Sequence, residues 1–209
     1  MAESRPAALP PAERTVGQLV AESIRFYGSH FWSVLPLGVP FLVVDVAGIG
    51  EGVDVQTLLL WACSPLFCVA YVRASQLFFG ERPAWSAFVV ALLVFLPFPI
   101  LVRLYVLPGV AWFGLLGLAV PAAVHERLGV RAALQRGREL GRADLAHAIG
   151  GIATLALVYG VSKGALLVLL HTQGNQTERV AVVLADLVLS PLLFIGAALL
   201  YVDQAARVE

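Results

Sequence analysis

The chain has 209 residues, 59% of them hydrophobic and 13% charged, with 14 basic and 14 acidic side chains and a mean hydropathy of +0.85. A water-soluble domain carries about 25% charged and about 45–50% apolar residues, so an ordinary soluble globule is excluded. Net charge is formally zero and no basic patch is interleaved with stacking aromatics, which argues against a nucleic-acid partner.

The apolar residues come in runs of about 20, the length that crosses about 30 Å of hydrocarbon as a helix. The expected fold is therefore an all-α membrane protein, a bundle of about six transmembrane helices with two interfacial amphipathic helices. Residues 1–12, "MAESRPAALPPA", read as a disordered N-terminal tail, and 13–209 as a single six-helix transmembrane domain. Glu3, Arg5, Glu13, Arg14, Glu22 and Arg25 interrupt any apolar core of a cleavable signal, so the first span is expected to act as an uncleaved anchor.

In "TVGQLVAESIRFYGSH", Thr15 followed by Gln18 fits a capping box, in which each side chain satisfies a free backbone donor at a helix start. Val16, Leu19, Val20, Ser23 and Tyr27 then share one face of a short helix lying among the headgroups. Spans are expected over 31–49, 55–74, 86–102, 109–124, 145–170 and 180–202; counts of five or seven stay open. Pro65 should bend the second span, and Pro97 and Pro99 should irregularise the third. Arg103 and Pro108-Gly109 mark a hairpin, with Pro108 opening the fourth span.

Between the fourth and fifth spans lies "HERLGVRAALQRGRELGRADL", which holds Arg127, Arg131, Arg136, Arg138 and Arg142. It reads as the second interfacial helix. Val130, Leu134 and Leu140 face the acyl chains, and Arg131, Arg136, Arg138 and Arg142 are the candidate contacts to anionic lipid headgroups. Two readings stay open: specific lipid binding, or a topology determinant making ordinary phosphate contacts. The stretch also echoes "TVGQLVAESIRFYGSHFW", either by ancient duplication or because both helices lead into spans.

Positive residues stay on the cytoplasmic side. With the N-terminus inside, Arg5, Arg14, Arg25, Arg73, Arg82, the five arginines above and Arg207 are inside, while Arg103 and Arg179 are outside. Both termini are thus expected in the cytoplasm, in the cell inner (plasma) membrane. Trp32, Trp85, Tyr71 and Tyr201 fall at the inner interface, whereas Trp61 and Trp112 sit deeper as packing residues.

Asp45, Lys163 and Asp186 fall within expected spans, and Arg103 at the edge of one. An ionisable group at membrane depth costs several kcal/mol unless paired or hydrated, so each is a candidate site residue. Lys163 and Asp186 are each about 10 Å deep on adjacent antiparallel helices, so they should pair; Asp45 and Arg103, both near the outer ends of their spans, are the candidate second pair. This set is either an outer-leaflet polar cavity for a solute or a proton relay, or a structural device that fixes helix register. Lys163 snorkelling outward alone is the third option.

Other residues carry less. Asp144 and His147 are three apart, but convergence with His125 and Glu126 on a metal is not expected, and neither is a cofactor. Cys63 and Cys68 lie five apart on one helix, beyond disulfide reach, and read as packing residues. The sequon Asn175-Gln176-Thr177 reads as accidental in a bacterial protein. With no phosphate loop, serine nucleophile motif, HExxH or CxxC, an enzyme is not expected.

Residues 107–140, "LPGVAWFGLLGLAVPAAVHERLGVRAALQRGREL", resemble the bacterial integral membrane proteins related to the glycerophosphoryl diester phosphodiesterase membrane domain. The matches are Pro108, Gly109, Pro121, Glu126, Leu128, Gly129, Ala133 and Leu134. "RTVGQLVAESIRFYGSHFW" is similar to that group's usual approach to its first span. The chain departs from the group at "WFGLLG", which lacks an Arg, and at Gly137 and Gly141, where bulkier residues are common. The resemblance implies a six-span membrane module without the phosphodiesterase chemistry, which belongs to a separate soluble domain.

The expected function is a non-enzymatic membrane module acting through membrane lipids, anionic headgroups among them, or through a membrane or cytoplasmic protein partner. The alternative is a small solute transporter or channel-like protein using Asp45, Arg103, Lys163 and Asp186.

Overall fold

The computed structural model describes residues 10–170 and 175–208, and every regular element among them is helical. Of the expected N-terminal tail, residues 1–9 lie outside the described residues, and Pro11–Glu13 form a 3-10 turn. The first α-helix, α1 (Val16–Ser29), opens on the predicted capping box: the Gln18 amide donates to Thr15 Oγ1 at 3.3 Å and the Thr15 amide to Gln18 Oε1 at 2.9 Å. Its apolar face is narrower than expected. Leu19, Ser23 and Tyr27 are buried inside the protein, while Val16 and Val20 are half-buried.

After α1 the chain turns by 101°. The expected first span is not one helix: α2 (Phe31–Val34), a 3-10 turn at Leu35–Gly38 and α3 (Val39–Ala47) follow in succession. Pro36 and Pro40 have no N–H to continue an α ladder. Gly38 sits so close to a later helix that a Cβ would lie 2.6 Å from the Asp186 carbonyl oxygen. Next come α4 (Val53–Ala62) and α5 (Ser64–Phe79), bent by 52° where Pro65 enters the first turn of α5. That is the bend its proline predicts. Gly80, at φ 72°, ends α5 in the left-handed conformation that glycine adopts without steric cost.

The expected third span is split into α6 (Trp85–Phe95) and α7 (Phe98–Leu104) around Pro97, and the expected fourth into α8 (Val106–Leu116) and α9 (Ala119–His125) around Gly117. The arginine-rich helix is α10 (Val130–Ala143), and α11 (Leu145–Leu170) covers the whole expected fifth span. The sixth comprises α12 (Asn175–Leu189) and α13 (Pro191–Ala205), broken at Ser190. Residues 171–174 of the expected "HTQGNQTE" loop lie outside the described residues; Asn175 of the sequon begins α12.

Among the described residues, four helical stretches are long and apolar enough to cross a membrane: Trp85–Leu104, Val106–His125, Leu145–Leu170 and Arg179–Ala205, or up to six if each bent pair counts as one span. Only 11% of the apolar window of α11 is covered by protein, and Leu157, Val161, Val168 and Leu169 are exposed along it. Hydrocarbon solvates such a surface and water does not. The apolar helices are compatible with an integral membrane protein.

The core runs along α5, α9 and α13, where small residues let the helices approach: Ala119, Ala122 and Ala123 of α9 and Ala197 and Ala198 of α13 are completely buried. Aromatic rings fill the wider middle. Tyr71 lies 5.5 Å from Phe113 and 5.9 Å from Phe194 between ring centroids. Phe41, Phe67, Phe95 and Phe98 join Phe113 and Phe194 around an apolar cavity of about 100 Å3.

Broken helices free carbonyls that hydrocarbon cannot satisfy. Three aromatic donors meet carbonyls at these breaks: Tyr71 Oη donates to Gly117 O at 3.0 Å, Trp61 Nε1 to Leu96 O at 2.7 Å and Trp112 Nε1 to Val94 O at 2.9 Å. Trp61 and Trp112, expected only to pack, thus also hydrogen-bond, and Tyr71 sits buried in the core rather than at an interface.

Candidate functional site

Two groups of side chains stand apart from simple packing. The first is the charge cluster on α3, α11 and α12. Lys163 Nζ donates to Asp186 Oδ1 at 2.8 Å, as the sequence predicts, and contacts Tyr159 Oη at 3.3 Å. Tyr159 Oη in turn donates to the same Asp186 oxygen at 2.6 Å. The second expected pair does not form. Asp45 joins Lys163 as well, and Arg103 instead meets Asp54 at 2.5 Å and Thr57 Oγ1 at 3.3 Å. The reason is topological: α3 packs on α12, while α7 packs on α4, so Arg103 is delivered to the start of α4.

Burial within this cluster is graded. The Asp186 side chain is 0% exposed, that of Lys163 19% and that of Asp45 34%. The ammonium therefore bridges a fully buried carboxylate and one at the protein's edge. Asp186 Oδ2 is buried with no hydrogen-bond partner among the described residues.

The second group is α10. It does not simply rest on a surface: Ala133, Gly137, Leu140 and Gly141 are buried against α8 and α9. A Cβ on Gly137 would lie 2.6 Å from the Ala119 backbone nitrogen, and one on Gly141 would lie 2.8 Å from the Leu115 Cα. The Ala133, Gly137, Gly141 series is a small-residue stripe of the kind that lets two helix backbones touch. Leu140, expected to face acyl chains, is fully buried inside the protein.

This seating separates the four candidate arginines. Arg136 turns inward, where its Nε donates to Glu126 Oε1 at 3.0 Å, and the same oxygen accepts from Tyr201 Oη at 2.6 Å. The Glu126 hydrogen bond raises the Arg136 pKa above its ordinary value and holds the guanidinium in place. Arg131, Arg138 and Arg142 turn outward, are exposed, and have no carboxylate partner among the described residues. With Gln135 they edge a groove of about 810 Å3 whose far wall is Leu93, Val94, Trp112, Leu115 and Leu116. Val130 and Leu134 form its floor on α10. The Trp112 N–H is spent on Val94 O, so that wall offers no free donor from its side chains.

Sequence reasoning missed a third arrangement, where α11 and α13 meet the N-terminal segment. Arg14 pairs with Asp203, and Arg207 with Asp144. Arg207 Nη2 also donates to the Arg14 carbonyl at 3.3 Å, and Gln204 Nε2 to the Asp144 carbonyl at 3.0 Å. His147 lies 3.8 Å from Asp203, and its backbone N–H donates to Asp144 Oδ1 at 2.9 Å, which accounts for the spacing of three. The partners are up to 193 residues apart, so only the polar character of Asp203 and Gln204 near a span end hinted at them.

Among the described residues no group of three or more His, Cys, Asp or Glu is placed to hold a metal ion. Cys63 and Cys68 are free and buried. The chain matches no family model, no curated protein and no solved structure.

Proposed function

We propose that this chain is a non-enzymatic module of six membrane spans, with α1 and α10 as amphipathic helices at the inner face and both termini in the cytoplasm, and that it acts by holding anionic lipid. Kinship with the membrane proteins related to the glycerophosphoryl diester phosphodiesterase membrane domain is part of the proposal and rests on residues 107–140 and the approach to the first span. The observation that carries the lipid reading is the contrast between arginines. Arg14, Arg25, Arg103, Arg127, Arg136 and Arg207 each have a carboxylate partner. Arg131, Arg138 and Arg142 face an apolar groove instead. A cationic edge over a hydrocarbon wall is complementary to a phosphate above an acyl chain.

Each basic residue at an anionic surface contributes about 1 kcal/mol, so three supply about 3 kcal/mol, or about 100-fold in affinity. The test is native mass spectrometry of detergent-purified protein titrated with phosphatidylglycerol. The R131Q/R138Q/R142Q variant should lose the retained lipid by about 100-fold, while R127Q, whose guanidinium is paired with Glu81, should keep it. Equal retention by the triple variant refutes the reading.

A second reading is favoured by the unpartnered Asp186 Oδ2: the Asp45, Lys163 and Asp186 cluster as a solute-binding point of a small transporter, with Arg103 outside it. Vesicle uptake that survives replacement of Lys163 and Asp186 by leucine rejects that role.

A further inference from the structure

The groove along α10 has a shape as well as a charge. Arg131, Arg138 and Arg142 are spaced seven and four residues apart, so they fall within about 40° of one another on the helix and form a row. Along the axis Arg138 and Arg142 are about 6 Å apart, whereas Arg131 is about 10 Å beyond Arg138. Gln135 lies between them on the same edge and adds a neutral donor. The cations are therefore a neighbouring pair and an outlier, joined by a hydrogen-bonding residue, rather than a ring converging on one point.

One phosphate, or a compact pyrophosphate, is matched by the pair alone and leaves Arg131 without a counter-ion. A lipid with two phosphodiesters held apart by a three-carbon bridge matches both ends, with the bridge hydroxyl opposite Gln135. The opposite wall, Leu93, Val94, Trp112, Leu115 and Leu116, takes its acyl chains. We infer that the α10 groove binds one molecule of a diphosphatidylglycerol-type lipid, with Arg138 and Arg142 on one phosphate and Arg131 on the other. This rests on the anionic-lipid reading above and narrows it to a lipid class.

The test compares diphosphatidylglycerol, phosphatidylglycerol and phosphatidylethanolamine on the full chain, in detergent, at matched phosphate concentration, by native mass spectrometry. One diphosphatidylglycerol should bind per protein, at least about 5-fold more tightly than phosphatidylglycerol, the fold-change that about 1 kcal/mol for one additional basic contact gives. Arg131→Gln should abolish that preference, costing diphosphatidylglycerol at least about 5-fold more than it costs phosphatidylglycerol. Arg142→Gln should weaken both. All three side chains are exposed, and an unchanged melting temperature confirms that each variant is folded. Equal affinity for the two anionic lipids, or two phosphatidylglycerols bound as tightly as one diphosphatidylglycerol, overturns the inference and leaves the anionic-lipid reading standing. Equal retention of phosphatidylethanolamine overturns both.

Discussion

At the scale of single residues, the decisive one is Lys163, the sole lysine of the chain. Its ammonium is the only basic group among the described residues that contacts Asp186, whose side chain is 0% exposed. Replacing Lys163 with Met keeps the volume but leaves that carboxylate buried without a counter-charge, which costs about 3–5 kcal/mol when a buried pair is broken. The expected outcome is a clear drop in melting temperature in detergent, with much of it recovered when Asp186→Leu is added, because Asp45 lies at the protein's edge. A Lys163→Met protein that melts like the native one would mean the pair contributes nothing. The Lys163 to Asp186 contact was legible in the sequence because depth is counted from span ends and adjacent antiparallel helices must bring equal depths together. Asp45 was not, because its partner depends on which helices pack side by side, and hydropathy does not carry that.

At the scale of elements, α10 shows how far periodicity reaches. The helix was legible from its alternation of arginine with small and apolar residues. The helical angle also separates Arg136, about 140° from Arg131, from the row made with Arg138 and Arg142. What periodicity leaves out is the identity of the apolar environment: protein and acyl chains look alike to a hydrophobic face, so Leu140 was assigned to lipid and lies against protein. Gly137 and Gly141 carried the missing signal, since a helix that only floats among headgroups has no need of glycine. Gly137→Ala places a Cβ 2.6 Å from the Ala119 nitrogen, so α10 must move off α9, at a cost of about 1–3 kcal/mol for overpacking. Gly160→Ala on α11 meets nothing within 4 Å, and the better helix former should leave stability equal or up to about 1 kcal/mol higher. Thermal unfolding of the two variants side by side checks this; equal melting temperatures would mean that α10 is not seated as described. The broken spans divide in the same way. Pro65 and Pro97 announced their breaks, whereas the one at Gly117 depends on Tyr71 reaching its carbonyl from another helix.

At the scale of the whole molecule, the arginine bias and the three-dimensional contacts bear on the same question by independent routes. Arg14 on the N-terminal segment meets Asp203 near the end of α13, and Arg207 meets Asp144 just before α11. The two ends of the described chain thus gather at one end of the bundle, the arrangement that the proposed six crossings would produce. No local pattern in the sequence reports a contact across 189 residues. The proposed even count in turn predicts a labelling pattern. Cys63 and Cys68 are buried, so a cysteine added elsewhere is the accessible thiol. Glu13→Cys and Val208→Cys should react with a membrane-impermeant maleimide only after cells are broken, and both positions are exposed. Gln173→Cys, in the segment between α11 and α12, should react on intact cells. Reaction of Glu13→Cys and Val208→Cys from opposite sides would break the even count, and reaction of both on intact cells would invert the orientation. In either case the arginine row of α10 would no longer be fixed at the inner leaflet, and its lipid would have to be sought elsewhere.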